Sequence, residues 1–198
     1  MKIGILAVQG DFEAHAEMLR NLGVETVEVR TVADLEGCDG IILPGGESTT
    51  QLQFLQEEGL YDAIRKFSAA DRRAVFGTCA GAILLATHVK NPDQESLGLL
   101  DMTILRNGYG RQLASDVFLG STELKKEPLE MVFIRGPIIE SVAPDVRVLA
   151  SHAGKPALVQ KDNLLAATFH PELTDDTTVH QHFLQMAESQ AAKSAEAR

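Results

Sequence analysis

The segment Gly77-Thr78-Cys79-Ala80-Gly81 sets a thiol between glycines where an apolar β-type run gives way to a helical pattern. Glycines on either side permit a tight strand-to-helix turn, the context of a nucleophile elbow. Such a turn lifts the central side chain above the carboxyl edge of a sheet. The start of the following helix then favours a thiolate. A small buried core residue is the plainer reading of a free cysteine, but the flanking glycines favour the nucleophile. Cys38 lacks that setting and is expected to be inert.

A base for the thiol is offered by His170-Pro171-Glu172, which follows the strand-like run Leu164 to Phe169. A residue before proline is pushed toward extended geometry. Extended geometry puts positions i and i+2 on one face, so Glu172 is expected beside the His170 imidazole. Cysteine, histidine and glutamate then form a nucleophile, a base and a group that orients the base. Taken alone, the tripeptide is equally a loop histidine beside a solvated glutamate.

Leu43-Pro44-Gly45-Gly46-Glu47-Ser48-Thr49 closes another apolar run. Its two glycines let backbone N–H groups face a ligand, as an oxyanion hole requires. A phosphate loop is the rival, but the Gly-Lys pair of the Walker pattern is absent. An ordinary turn with Ser48 as helix N-cap is the bland alternative. In Arg106-Asn107-Gly108-Tyr109-Gly110-Arg111-Gln112, Arg106 and Arg111 suit carboxylate binding, although a glycine-rich turn explains the segment too. His180 and His182 stand two apart on a helical pattern and do not face each other, so a solvated helix explains them better than a metal site. His170-x-Glu172 lacks the Pro-Cys-x-x-Cys of a zinc deaminase.

These groups need a scaffold that brings strand ends together. Lys2 to Val8, Val24 to Arg30, Asp39 to Leu43 and Ala74 to Phe76 have strand character. Helical patterns lie between them: one capped by Asp11 and carrying Phe12, His15, Ala16 and Leu19, one from about Thr49 through Phe67, and one over Ala80 to Thr87. This alternation predicts βαβ units and a largely parallel sheet. From Leu99 to Thr168 the pattern changes to short β-type runs (102–105, 132–134, 146–149, 157–159) without long helices between them. Antiparallel additions are expected there. A last amphipathic helix is expected over about Asp175 to Ala187. The expected fold is a single α/β domain over residues 1–188, a flavodoxin-like three-layer sandwich, with residues 189–198 as a frayed polar tail.

Composition narrows the function classes. The chain has 198 residues, 44% hydrophobic and 23% charged, the balance of a globular protein. Its 18 basic and 28 acidic side chains give a net charge of −10, which argues against a nucleic-acid partner. No apolar run approaches the ~18 residues of a membrane span, and the N-terminus lacks the length and cleavage site of a signal peptide. Two cysteines are too few for a disulfide framework or a four-thiolate zinc site. A cytoplasmic location is expected.

The motifs together resemble the class I, triad-type glutamine amidotransferases. Within them the chain is most similar to the branch that serves as glutaminase subunit of the two-component pyridoxal 5′-phosphate synthase. The resemblance runs from Val8-Gln9-Gly10-Asp11-Phe12 through the Gly-Gly-Glu-Ser-Thr, Cys79 and Arg106 to Gln112 segments to His170-Pro171-Glu172. Many class I glutaminases carry Gln four residues after the nucleophile; Ile83 stands there, which weighs against the anthranilate, guanylate and carbamoyl-phosphate branches.

The resemblance implies hydrolysis of L-glutamine to glutamate and ammonia, with no cofactor and no metal. It implies Cys79 as nucleophile, His170 as base and Glu172 as its orienting group. Backbone N–H groups of Gly46 and Ala80 would form the oxyanion hole, each worth on the order of 3 kcal/mol. Gly46, Glu47, Ser48, Arg106, Ile134 and Arg135 would hold the substrate. Ammonia would pass to a (β/α)8-barrel synthase subunit, and Gln9 would complete the site when that partner docks. The contrasting expectation is a redox-sensing or chaperone-like relative on the same elbow-cysteine scaffold.

Overall fold

The computed structural model describes residues 1–108, 116–134 and 136–196, the side chains of 193–196 excepted. Five parallel strands form its centre: β1 (Lys2–Leu6), β2 (Glu25–Val29), β3 (Gly40–Leu43), β4 (Ala74–Thr78) and β12 (Leu164–Ala167). β10 (Arg147–His152) and β11 (Lys155–Lys161) extend the β12 edge antiparallel. The order is β10-β11-β12-β4-β3-β1-β2. The parallel part has flavodoxin-like connectivity, with its order reversing between β1 and β3. Ligands of such sheets bind outside the carboxyl ends of the strands at that reversal.

Alternating side chains along the strands supply two cores. Ile3, Ile5, Ile42, Phe76 and Leu165 point to one face and pack with α1 (Phe12–Asn21) and α6 (Thr178–Glu196). Leu6, Ile41, Leu43, Val75 and Ala166 point to the other and pack with α2 (Val32–Leu35), α3 (Ser48–Glu57), α4 (Leu60–Ala69) and α5 (Ala80–Leu85). The strands are apolar on both sides because both faces are covered. The expected three-layer sandwich is therefore present.

The second half departs from expectation in its pairing. β5 (Ala86–Lys90), β6 (Leu100–Leu105) and β9 (Ile138–Val142) form a separate three-stranded sheet, and β7 (Asp116–Gly120) pairs with β8 (Leu129–Phe133) in a hairpin-like ribbon. Of this half's described strands, β10 and β11 join the main sheet antiparallel and β12 joins it parallel. The helix expected over Ala80 to Thr87 stops at Leu85, and the chain continues as β5, whose Ala86 and Val89 are buried against the first core. Burial between β6 and α5 overrides the local helical pattern. The final helix is longer than expected, continuing past Ala187 to Glu196, with Gln190 buried. Among the described residues, no helix is long and apolar enough to cross a membrane.

Candidate active site

The loops after β1, β3, β4 and β12 meet at one edge of the sheet. Cys79 follows β4 with φ +49° and ψ −103° and precedes the first residue of α5. A non-glycine residue in that conformation is strained by about 1–3 kcal/mol and persists only where the surroundings enforce it. Gly81 is part of that enforcement: a Cβ there would lie 1.9 Å from the Leu43 carbonyl oxygen, so only glycine lets α5 start against the end of β3.

His170 is held by its backbone N–H, which donates to the Val132 carbonyl at 2.8 Å. Its side chain faces Cys79 on one side, and Nδ1 stands 2.7 Å from Glu172 Oε1 on the other. Glu172 arrives by a different route from the extended one expected. His170 is followed by a single 3-10 turn, Pro171–Leu173, which curls the carboxylate back to the ring. Proline suits the first position of such a turn because its missing N–H would be unpaired there. The orienting carboxylate is buried, as is the imidazole.

Burial alone would lower the His170 pKa. The hydrogen bonds and charges of Cys79 and Glu172 outweigh it and push the value up to about 10, so the ring is an imidazolium at neutral pH. Burial raises the Glu172 pKa, opposed by the hydrogen bond and charge of His170. The arrangement can therefore set a sulfur nucleophile beside an imidazolium whose proton sits 2.7 Å from a counter-charge.

Asp11 was expected to cap α1. It occupies the N-cap position, but its side chain makes no capping bond; instead Oδ2 stands 3.4 Å from His170 Nδ1. Ligand atoms of Asp11, His170 and Glu172 lie within 4.8 Å of one another. A metal there would have to take Nδ1 of His170 away from Glu172 and so dismantle the acid–base pair.

The Gly45-Gly46 turn lies directly on this cluster. A Cβ on Gly45 would come within 2.4 Å of His170 Cε1, and Gly46 adopts φ +143°. Both positions thus demand glycine, for space and for conformation respectively. Gln51 Nε2, buried on α3, donates to the carbonyls of Pro44 and Gly45 at 3.2 and 3.3 Å and pins the turn. Gln9 Nε2 donates to the Glu47 carbonyl at 3.1 Å. Ala80 begins α5, where helix N–H groups lack intrahelical partners.

Glu47, not Ser48, is the N-cap of α3, accepting from the N–H groups of Thr49 and Thr50 at 3.1 and 2.8 Å. A carboxylate caps better here because it also meets Arg106 Nη2 at 3.1 Å. Burial opposes its charge, but the Thr50 and Thr49 donors win and hold the carboxyl below its usual range. Ser48 is buried in the first turn and its hydroxyl donates to Gln94 Oε1 at 2.9 Å. Arg106 follows β6 and donates to Thr49 Oγ1 at 3.0 Å as well. Ile134 lies exposed just after β8. Arg135, and Tyr109 to Gln112 with Arg111, lie outside the described residues.

Sequence reasoning placed His180 on a solvated helix, and the structure corrects this. His180 is fully buried, and its Nε2 stands 2.9 Å from Nδ1 of His15, equally buried on α1. His182 is the partly exposed one of the pair, 2.8 Å from Gln160 Oε1. The spacing of His15 with Ala16 and Leu19 was the available signal, since it put an imidazole on the core face of α1.

The sequence model of the SNO glutamine amidotransferase family matches residues 5–189. The chain is 50% identical to the pyridoxal 5′-phosphate synthase subunit PdxT of Koribacter versatilis, over 94% of this chain and 95% of that one. It is 48% identical to the PdxT of Thermotoga neapolitana, over 94% and 99%. A crystal structure of a glutamine amidotransferase superposes with a TM-score of 0.89 at 43% identity, covering 94% of this chain and 98% of that one. Matches of this extent, on the fold that gathers the Cys79 cluster at one sheet edge, make the chain a member of the SNO glutamine amidotransferase family.

Proposed function

We propose that the chain is the glutaminase subunit of a pyridoxal 5′-phosphate synthase, with Cys79, His170 and Glu172 as its catalytic triad. The observation that carries the reading is the strained elbow of Cys79 beside an imidazole bonded at 2.7 Å to a buried carboxylate. Cys79 Sγ attacks the side-chain amide carbon of L-glutamine, and the carbonyl electrons move to oxygen. N–H groups of Gly46 and Ala80 receive that oxyanion. His170 gives its proton to nitrogen, the C–N bond breaks and ammonia leaves a thioester. Water then adds, His170 takes its proton, and the C–S bond breaks to give glutamate and the free thiolate.

Gly46, Glu47, Ser48, Arg106, Ile134 and Arg135 hold the amino acid end of the substrate in this reading. The Glu47–Arg106 pair supplies one carboxylate for an α-ammonium and one guanidinium for an α-carboxylate. Residues 1–188 form the catalytic domain, acting in the cytoplasm, where the thiol stays reduced. Ammonia passes to a synthase subunit, a (β/α)8 barrel, and Gln9 completes the site when that subunit docks; its present bond to the Glu47 carbonyl supports a place at the substrate edge. A redox or chaperone role would need neither the His170–Glu172 pair nor the Gly45-Gly46 turn set against it. The test is ammonia release from glutamine by the chain with and without its synthase. A Cys79→Ala variant that kept the activity would overturn the reading. Gln9→Ala should lower only the partner-stimulated rate, and an unchanged rate removes Gln9 from the site.

A further inference from the structure

Glu172 uses one oxygen on His170, and its other oxygen is the less explained one. Oε2 is buried and makes no hydrogen bond, yet His15 Nε2 stands 3.4 Å away. The same Nε2 is 3.1 Å from Thr78 Oγ1, on the last residue of β4 next to Cys79. On its far side, His15 Nδ1 meets His180 Nε2 at 2.9 Å. His180 Nδ1 has no partner. Three elements, α1, β4 and α6, thus converge behind the orienting carboxylate.

The tautomers of this chain follow from counting donors. If His15 carried its proton on Nδ1, it would donate to His180 Nε2. His180 would then hold its proton on Nδ1, a buried N–H with no acceptor, and a bare His15 lone pair would face the Glu172 carboxylate. Both features are costly. With protons on Nε2 of both rings, His180 donates to His15, and His15 donates to Thr78 Oγ1 with Glu172 Oε2 3.4 Å away. The unpaired atoms are then both acceptors, Glu172 Oε2 and the His180 Nδ1 lone pair, and orphaned acceptors are tolerated better than orphaned donors.

We propose that His15, backed by His180, is a positioning residue for the reaction, whose Nε2–H holds Glu172 charged and turned toward His170. The proposal rests on the glutaminase reading above and adds a second donor to its base pair. Burial works against a charged Glu172; a neutral N–H 3.4 Å from Oε2 offsets it without adding a competing cation. Neutrality is what the site provides. Burial first, then the neighbouring His180 and His170, hold His15 well below the usual imidazole range, and burial brings His180 down to about 4. The groups facing Glu172 are His170, His15 and Asp11, with the Thr78 hydroxyl also bonded to His15.

The experiment uses the chain with its synthase. His15→Phe keeps the ring that packs edge-on against Phe76 but removes the donor. It should lower kcat roughly 10- to 100-fold, by analogy with loss of the hydrogen-bond partner behind a metal-bound imidazole, with KM for glutamine unchanged. The acid limb of the rate profile should move to higher pH, because a carboxylate that loses a donor is protonated more readily. His15→Gln, which can place an amide N–H near the position of Nε2, should restore most of both. Nitrogen NMR of the wild-type imidazoles should show His15 and His180 as neutral Nε2–H tautomers at neutral pH. The idea fails if His15→Phe changes only the melting temperature, or if His15 is an Nδ1–H tautomer or an imidazolium. Should His15→Phe not fold, the tautomers decide by themselves. A wild-type complex with no glutaminase activity would instead sink the catalytic reading.

Discussion

The two cysteines occupy opposite edges of one sheet and differ in almost everything else. Cys79 lies at the carboxyl edge with φ +49°, joined to a protonated imidazole. Cys38 lies at the amino edge, just before β3, where its thiol donates to the Asp34 carbonyl at 3.4 Å. Burial, opposed by Lys2 and aided by Asp39, Asp34 and Glu25, raises the Cys38 pKa and keeps it a thiol. Yet a cavity of about 740 Å3, lined by Cys38, Lys66, Arg72 and Arg73 among others, opens at the amino edge. Space does not mark the reactive thiol here. What marks it is the convergence of loops that parallel strands impose at their carboxyl ends, together with a base delivered from a distant strand.

The hardest strike at this contrast is Cys79→Ala. It should lower partner-stimulated glutaminase activity by more than ~10³-fold, since loss of a nucleophile is not compensated by binding groups. An ammonia assay reads it, and retained activity would erase the distinction. Next in size is Gly45→Ala, whose Cβ would press on His170 Cε1. Moving the base by a fraction of an ångström should cost about 10²-fold in kcat with an unaltered far-ultraviolet spectrum. A glutamine-analogue alkylator should label Cys79 at least ~10-fold faster than Cys38, because the thiolate is the nucleophile; equal labelling by mass spectrometry would break the comparison.

Acid should act through the carboxyl-edge histidines. His180 titrates at about 4 when folded and near 6.5 when unfolded. The unfolded chain therefore binds the proton first, and stability falls as pH drops from about 6.5 toward 4. His180→Phe should flatten that fall by up to ~3 kcal/mol, measured by urea unfolding across the range. The smallest effect is expected at the other edge: Cys38→Ala should leave activity within about twofold, since surroundings rather than chemistry hold that side chain.

Much of the fold was legible because both faces of the parallel strands are covered, so β1, β3 and β4 stand out as apolar runs between glycines and helical patterns. The site motifs were legible for a related reason: Gly77 and Gly81 are where backbones approach closely, Gly45 leaves room for His170, Gly46 takes a positive φ, and glycine is visible in sequence. β5 was not, since the helical pattern from Ala80 runs on to Thr87, into its first two residues, and only burial against β6 and its neighbours makes it a strand. The Glu47 cap was missed in favour of Ser48 because local preference cannot see Arg106, 59 residues away. His180 was missed because a histidine on a polar helix looks solvated until the helix is docked.

By itself, then, the sequence determined the alternation of strands and helices, the glycine-flanked thiol and the neighbouring His170 and Glu172, because each depends on residues close in the chain. Tertiary structure alone decided that Asp11 leaves its capping role for His170 and that a 3-10 turn, rather than an extended strand, returns Glu172 to the ring. It also decided that His15 and His180, 165 positions apart, share a hydrogen bond beneath the carboxylate. Such contacts are set by which helix faces pack on which side of the sheet, and no local spacing encodes that choice.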